Sequence, residues 1–234
     1  MGITKAEALK AVDRERGPVC EASDRIWDQP ETAFQEFHST DVLCELLEKE
    51  GFRVERNLAG IATAFSGTYG SGKPVVGILG EFDALSGLSQ ESESLEKTAL
   101  VDGAPGHGCG HCALGTGALA AALAVREYLI ANKKDGTIIY FGCPAEEGAG
   151  SKQFMARAGM FDDVDFVYSW HPATKNAVEC NHSNAIMGAN FYFKGVASHA
   201  GATPYLGRSA LDAVELMNVG CNYLREHIID GGRM

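Results

Sequence analysis

The spacing of apolar residues predicts that the chain begins with helices. Residues 5–27 are rich in Ala, Glu, Arg and Leu, which favour helix, and Pro30 disfavours helix just beyond them. Residues 33–50 place apolar side chains at partly helical spacing, and Gly51 follows as a natural stop. We therefore expect two helices before the pattern changes.

Beyond Gly51 the apolar residues come in short runs that are typical of β-strands. Turn residues separate these runs, which lie at positions 61–65, 74–79, 137–143 and 164–170. Residues 114–131 are small or apolar on most faces and predict a long buried helix, and residues 151–158 predict a shorter one. The alternation predicts an α/β fold, in which helices flank a sheet.

Residues 86–103 interrupt this alternation. They are polar, acidic and rich in serine. We expect them to form a mobile surface insertion that could act as a flap.

The last part of the chain has a different pattern. Residues 190–196 predict a strand, and residues 208–229 predict an amphipathic helix. The apolar stripe of that helix must bury against another surface and comprises Ala210, Val214, Met217, Cys221, Leu224 and Ile228. One strand and one helix so late in the chain predict the opening half of a second, smaller domain.

Composition narrows the class of protein. The chain has 234 residues, 45% hydrophobic and 22% charged, which is ordinary for a globular protein. Its formal net charge of −11 disfavours binding to nucleic acid or to an anionic membrane through charge alone. The longest apolar run, residues 117–125, is far shorter than the ~20 residues of a membrane-spanning helix. Seven cysteines without a disulfide-like framework fit a reducing compartment, so we expect a cytoplasmic protein.

Potential metal ligands concentrate at the ends of the predicted strands. Three segments follow strands and one precedes the long helix: Glu81-Phe82-Asp83, 144–148, Trp170-His171-Pro172 and 107–111. Ligand sites in open α/β sheets lie just beyond the carboxyl ends of strands. The side chains expected at this one edge are Asp83, Glu146, Glu147 and His171, within reach of Cys109 and His111.

These side chains suit a divalent transition metal, because thiolate, imidazole and carboxylate groups bind zinc and related ions. Cys109 and His111 are two positions apart, so they face one side in an extended segment. The dipole of the helix after them would favour a thiolate at Cys109. Neighbouring side chains diverge, so one of Glu146 and Glu147 can bind metal while the other moves a proton from water to a leaving nitrogen. The pattern indicates a metal hydrolase.

Two other chemistries fit the pattern less well. A cysteine hydrolase would use Cys109 as nucleophile with His111 or His171 as base, but the adjacent glutamate pair would then have no role. A zinc nucleobase deaminase needs Pro-Cys-x-x-Cys, whereas this chain has Cys143-Pro144 and no second cysteine at that spacing.

Four segments occur in an order and at spacings that resemble one known enzyme family. They are Gly-His-Gly-Cys-Gly-His at 106–111, Pro-Ala-Glu-Glu-Gly at 144–148, Trp-His-Pro at 170–172 and Ser-His-Ala-Gly-Ala-Thr-Pro at 198–204. Together they resemble the metal-dependent aminoacylase and carboxypeptidase family of amidohydrolases. Within it, they are most similar to the branch of aminobenzoyl-glutamate hydrolases, which are relatives of the plant auxin-conjugate hydrolases. The resemblance covers essentially the whole chain.

The resemblance implies both a fold and an activity. The family fold is a zinc-exopeptidase-like α/β domain with an inserted α+β dimerisation domain, which implies an incomplete catalytic domain at 1–184 and the start of the second at 185–234. The implied activity is hydrolysis of the amide bond of N-acyl or aroyl amino acids such as aminobenzoyl-glutamate. The implied cofactors are two divalent metal ions, zinc or manganese, and the implied partner is an identical or related subunit.

The resemblance also implies a role for each site residue. The implied metal ligands are Cys109, His111, Glu147 and His171. Cys109 stands where the family has a ligand that bridges two metals. Glu146 stands where the family has its general acid/base. Asp83 resembles the carboxylate that orients a ligand. His199 resembles the histidine that the smaller domain of a partner subunit supplies to polarise the substrate carbonyl.

The chain departs from the family pattern in two ways. Cys112 stands where the family has Asp or Asn, which could cap the following helix. The family also has a later metal-ligating histidine, and His227 lies in the wrong context to replace it, so we expect a truncated form of a longer hydrolase. The alternative hypothesis is a non-catalytic fragment that acts only through subunit association.

Overall fold

The chain divides into two compact units, Met1–Thr174 and Lys175–Met234. The computed structural model of the protein describes residues 2–179 and 182–234. The expected domain boundary between residues 184 and 185 falls inside the second unit. The assignment of 1–184 as a catalytic domain and of 185–234 as a dimerisation domain stays a prediction.

The first unit is built on a mixed five-stranded sheet. Its strands are Arg53–Arg56 (β1), Phe65–Ser71 (β2), Val75–Gly80 (β3), Gly136–Gly142 (β4) and Phe166–Tyr168 (β5). Their order in the sheet is β1-β2-β4-β3-β5. β3 runs parallel to both β4 and β5, whereas β2 is antiparallel to β4 and to β1. The predicted α/β class is confirmed.

Helices cover the sheet. In the first unit they are Lys5–Arg14 (α1), Arg16–Asp28 (α2), Phe37–Lys49 (α3), His111–Asn132 (α4) and Ser151–Arg157 (α5). Alternate residues of β4 face opposite sides, as the two-residue period of a strand requires. Ile138 and Tyr140 belong to the core under α2, α3 and α4, whereas Ile139 and Phe141 pack with Met155 of α5 in a second core. The sheet therefore separates two apolar layers.

The long helix α4 is the centre of the larger core. It packs against β3 and β4 on one side and against α1 and α2 on the other. Leu114, Leu119 and Leu123 have no exposed surface. Among the described residues it is the one helix long and apolar enough to cross a membrane, a test that buried core helices also pass. The expectation of a long buried helix is confirmed.

The N-terminal helix is interrupted, in contrast to the single helix predicted over residues 5–27. α1 ends at Arg14 and α2 begins at Arg16. Pro18 lies in the first turn of α2, and in a continuous helix its ring would clash with the carbonyl of Arg14. The next helix also begins later than predicted, at Phe37, because Phe34 adopts a left-handed conformation with a φ of 63°.

The edge of the sheet formed by β1 and β2 differs from the prediction of a strand at 61–65 followed by a glycine-rich turn. β2 begins at Phe65 and continues through that predicted turn to Ser71. β1, which the sequence pattern did not indicate, pairs with it. A Cβ at Gly67 would lie 2.9 Å from Leu47 of α3, so the glycine allows close packing of helix on strand.

The insertion at 86–103 is largely exposed, as expected for a surface segment. It is held together by backbone hydrogen bonds. The N–H of Ser89 donates to Ala104 O at 3.0 Å, and the N–H of Glu91 donates to Thr98 O at 2.9 Å. Its predicted mobility and flap role stay predictions.

The second unit contains one α-helix among its described residues, Ala210–Leu224 (α6). The Ser209 hydroxyl caps this helix by accepting the N–H of Asp212 at 3.0 Å. The predicted strand at 190–196 is wrong: only an isolated bridge between Val196 and Arg208 forms there. A strand needs a neighbour for its N–H and C=O groups, and the described part of this unit offers none beyond that bridge. No residue of α6 is buried, so the predicted burial of its stripe is not seen.

Candidate metal centre

The carboxyl ends of three parallel strands form the floor of the site. Glu81 and Asp83 directly follow β3, and residues 144–148 follow β4. His171 lies three residues beyond the end of β5. Because β3, β4 and β5 run in the same direction, these segments meet at one edge of the sheet, as the sequence pattern predicts.

His111 is the centre of the cluster. It is the first residue of α4 and has no exposed surface. Its Nδ1 lies 3.1 Å from both the main-chain oxygen and Oδ1 of Asp83, two acceptors that require a proton on this nitrogen. In the neutral ring, Nε2 then carries the lone pair that can bind a metal ion, and the placement of Asp83 fits its expected role as an orienting carboxylate.

Three carboxylates surround the free nitrogen of His111. Glu81 Oε2 lies 3.2 Å from Nε2. Glu146 Oε2 and Glu147 Oε1 each lie 4.0 Å from the same atom. These acidic side chains together raise the local negative potential at a point where the fold has placed a buried imidazole.

Cys109 and His171 complete the cluster. Cys109 Sγ lies 3.3 Å from His171 Nε2, and the rings of His111 and His171 meet edge to face with centroids 5.7 Å apart. The segment between Cys109 and His111 is a turn rather than the extended stretch that the spacing suggested. Gly110 adopts a left-handed φ of 77°, and this turn brings both side chains to the same site.

The donor set fits a divalent metal ion. Two groups of three ligand atoms each lie within 4.8 Å of one another, Cys109-His111-His171 and Glu81-His111-Glu146. Three atoms of the cluster are buried without a hydrogen-bond partner: Glu81 Oε2, His111 Nε2 and Glu147 Oε1. Buried polar atoms are normally satisfied, so unsatisfied atoms from three segments that converge on one point indicate a bound cation. The sulfur, nitrogen and oxygen donors suit zinc and similar ions.

The expected thiolate at Cys109 is not favoured by the residues of the chain alone. Burial, together with the carboxylates of Glu147 and Glu146, raises the pKa of the Cys109 thiol to about 12. These effects act against the dipole of α4, on which the expectation of a thiolate rested. A cation would offset the negative charges, so metal binding must displace the thiol proton.

Burial would lower the pKa of His111, but the carboxylates of Asp83, Glu81 and Glu147 outweigh it and raise that pKa. Burial would likewise raise the pKa of Asp83, but hydrogen bonds from His111 and from the N–H of Glu147 hold it below its ordinary value. The pair is therefore an ionised carboxylate against an imidazole that keeps its Nδ1 proton.

The two adjacent glutamates differ in exposure. The side chain of Glu146 is 41% exposed and that of Glu147 is 23% exposed. Burial and the neighbouring Glu81 raise the pKa of Glu146, which suits a group that accepts and returns a proton. The N–H of Glu147 donates to Asp83 Oδ2 at 2.9 Å, which ties this residue to the buried side of the site.

Sequence reasoning missed Glu81 as a member of the cluster. Its side chain is 8% exposed, and Lys152 pairs with Oε1 while Oε2 faces His111. The signal was present, because Glu81 follows β3 two residues before Asp83. In an extended segment, residues two positions apart face the same side, so Glu81 and Asp83 would face the site together. Cys109 and His111 are also two positions apart, but a turn rather than an extended segment brings them to one site.

His199 lies in the second unit. Its Nδ1 accepts the N–H of Gly201 at 3.2 Å and that of Ala202 at 3.0 Å, so the proton of the neutral ring is on Nε2. The ring is therefore held by its own loop through Nδ1, and no hydrogen bond to Nε2 is formed among the described residues. Its predicted role in polarising a substrate carbonyl stays a prediction.

Residues 77–185 match the sequence model of peptidase family M20/M25/M40. This range contains every ligand candidate of the metal centre. Residues 77–185 of the chain carry the sequence pattern of this peptidase family. The resemblance inferred from the four ordered segments is thereby confirmed, and the strand-end cluster is the metal centre candidate of the M20/M25/M40 domain.

The chain is also similar to a subunit of a named hydrolase. It is 47% identical over 224 residues to one of the subunits of the p-aminobenzoyl-glutamate hydrolase of Escherichia coli (strain K12). That match covers 96% of this chain and 47% of the relative, so the chain spans about half the length of this protein.

Two solved structures show that the fold is shared. A protein from methicillin-resistant Staphylococcus aureus matches with a TM-score of 0.63 and 20% identity, over 97% of this chain and 61% of that one. The YXEP protein of Bacillus subtilis, described as a dinuclear metal binding peptidase of the M20 family, matches with a TM-score of 0.53 and 24% identity. That match covers 68% of this chain and 44% of the other.

Proposed function

We propose that this chain is part of a metal-dependent amidohydrolase that cleaves N-acyl or aroyl amino acids such as p-aminobenzoyl-glutamate. The observation that carries the proposal is the convergence of thiol, imidazole and carboxylate donors on His111 Nε2, with three buried atoms that lack hydrogen-bond partners. The 47% identity to a p-aminobenzoyl-glutamate hydrolase subunit supports the choice of substrate.

The residues that would hold the cofactor are those of the cluster: Cys109, His111, Glu147 and His171, with Glu81 beside them. When bound, zinc or manganese supplies a Lewis acid that polarises the amide carbonyl and activates water. We propose two such ions, and the cysteine ligand favours zinc.

Glu146 performs the proton transfer in this proposal. It is the more exposed of the paired glutamates, and its raised pKa matches the need to take a proton from attacking water and give it to the leaving nitrogen. Asp83 accepts the Nδ1 proton of His111 in a hydrogen bond and thereby keeps this ring in the tautomer with Nε2 free. His199 would donate from Nε2 to the substrate carbonyl, supplied by a partner subunit.

Subunit association and a cytoplasmic location are parts of the same proposal. The Escherichia coli relative is named as one subunit of its hydrolase, which supports an identical or related partner for this chain. The apolar side chains of α6 that remain exposed, such as Leu211 and Val214, support a contact surface in this unit.

Glu146→Gln is the variant that tests the proposed reaction. We expect turnover of p-aminobenzoyl-glutamate to fall by about 10²–10⁴-fold, since the amide cannot accept a proton. Glu45→Gln, an exposed ion-pair partner of Arg25, is the matched control and should keep full turnover. Metal content by elemental analysis should be unchanged in both variants.

Two outcomes would contradict parts of this proposal. Near-normal turnover by Glu146→Gln would remove Glu146 from the reaction. A wild-type chain that binds metal and associates with a partner, but hydrolyses no amide, would instead support the association-only hypothesis.

A further inference from the structure

Glu36 is a buried carboxylate that the proposed reaction does not use. It has no exposed surface and directly precedes α3. Burial of a carboxylate is costly unless hydrogen bonds satisfy its oxygens. The groups that satisfy Glu36 therefore show what the fold uses it for.

The Glu36 carboxylate joins three distant segments of the first unit. Its Oε1 accepts the N–H of Ala145 at 2.8 Å and that of Phe34 at 2.9 Å. Its Oε2 accepts the hydroxyl of Thr63 at 3.0 Å. One side chain thus links the turn before α3, the segment before β2 and the loop that carries the paired glutamates.

The contact with Ala145 acts on an unusual point of the chain. Ala145 is fully buried and has a left-handed φ of 56°, a conformation that residues with a Cβ rarely adopt. It directly precedes Glu146 and Glu147. A tether on its N–H opposes relaxation of this backbone to an ordinary conformation, which would redirect both carboxylates.

A second buried carboxylate holds the other side of Glu146. The N–H of Glu147 donates to Asp83 Oδ2 at 2.9 Å. The residues before and after Glu146 are therefore each bound through their backbone N–H to a carboxylate that is at most 1% exposed. The backbone is fixed on both sides while the Glu146 side chain stays accessible.

We propose that Glu36 is a positioning residue whose carboxylate tethers Ala145 and thereby aims Glu146 and Glu147 at the metal centre. This inference rests on the function proposed above only for its effect on turnover. The tether itself is a property of the fold and can be measured separately.

Three variants separate the tether from other effects. Glu36→Ala removes both acceptors, whereas Glu36→Gln keeps one oxygen for the two N–H groups and offers its amide to the Thr63 hydroxyl. Glu31→Ala is the matched control. The Glu31 carboxylate accepts the N–H groups of His38 and Ser39 and the Ser39 hydroxyl, and the hydrogen bonds described for it go to the start of α3.

Amide hydrogen exchange of residues 143–150 is the direct readout, with residues 114–125 of α4 as the internal reference. We expect Glu36→Ala to speed amide exchange in 143–150 at least about tenfold relative to α4. Without the acceptor for the Ala145 N–H, the backbone of this segment should open locally more often. For Glu36→Gln and Glu31→Ala, the exchange rate of 143–150 relative to that of α4 should stay within about threefold of the wild-type value.

Turnover of p-aminobenzoyl-glutamate provides the functional readout. A displaced catalytic group lowers kcat more than substrate affinity, so Glu36→Ala should lose about 10–100-fold in kcat with KM changed less than about threefold. Glu36→Gln should restore kcat to within about threefold of wild type.

The outcomes distinguish the two proposals. Equal loop exchange in Glu36→Ala and Glu31→Ala would overturn the tether, as would a Glu36→Gln variant as damaged as Glu36→Ala. A wild-type chain without turnover would overturn the proposed function, and the exchange rates would still decide the tether.

Discussion

The strand-end cluster of the first unit and helix α6 of the second unit show opposite relations between side chains and solvent. His111 has no exposed surface and each of its ring nitrogens lies within 3.2 Å of a carboxylate oxygen. In α6 no residue is buried, and Leu224 is 52% exposed. The first unit has enough chain to enclose a core and a site, whereas a unit of about 60 residues buries a smaller share of its surface.

This difference explains why the same kind of sequence signal had different outcomes. Both α4 and α6 present apolar residues that predict burial. α4 finds a sheet and two helices to pack against. No residue of α6 is buried, and this exposed face supports the proposed association of subunits.

The largest expected effect tests the contrast in burial. Leu123→Ala should cost about 2–5 kcal/mol in the free energy of unfolding, because it leaves a cavity in the larger core. Leu224→Ala removes the same atoms from an exposed position of α6 and should change stability by less than about 0.5 kcal/mol. Chemical denaturation of both variants measures the difference. Equal losses would show that α6 is already packed within this chain.

The next effect tests whether the metal centre lies wholly in the first unit. His111→Ala should weaken Zn²⁺ binding by more than about 100-fold, since loss of a ligand exceeds the 10–100-fold cost of losing an outer partner. His227→Ala, in the exposed turn Arg225–His227, should leave the affinity unchanged. Competition with a chromogenic chelator gives both affinities. A similar loss in His227→Ala would place a ligand in the second unit.

The smallest effect concerns the proton on Cys109. With the thiol pKa raised to about 12, the group is protonated at neutral pH and metal must displace the proton. Zn²⁺ affinity should therefore rise about tenfold per pH unit from this group alone. Titration calorimetry in buffers of different ionisation enthalpy counts the protons released, and Cys109→Ala should release one fewer. Equal release by both chains would mean that Cys109 is not a ligand.

Several features of the fold and the site could be predicted from local sequence. The long helix α4 and the strands β3 and β4 follow from runs of apolar residues that need no knowledge of their neighbours. The same is true of the position of Asp83, Glu146 and Glu147, because each follows a strand. Parallel strands in one sheet bring such residues to one edge, so their convergence was already implied by the α/β pattern.

Other features depended on partners distant in the sequence. Whether residues 190–196 form a strand depends on a neighbour for their backbone groups, and no periodicity contains that information. The glycines of β2 signal a turn locally, but Gly67 instead allows Leu47 of α3 to approach the strand closely. Glu36 and Ala145 are 109 residues apart, and only the tertiary structure brings that carboxylate to that N–H.

The sequence by itself therefore determined the kind of fold, the identity of the ligand candidates and the strand ends at which they lie, because apolar periodicity and strand direction are local properties. Tertiary structure decided which nitrogen of His111 is free, that Glu81 joins the cluster, and how Glu36 and Asp83 hold the loop around Glu146. These are matters of distance and burial, and they arise only when separate segments pack together.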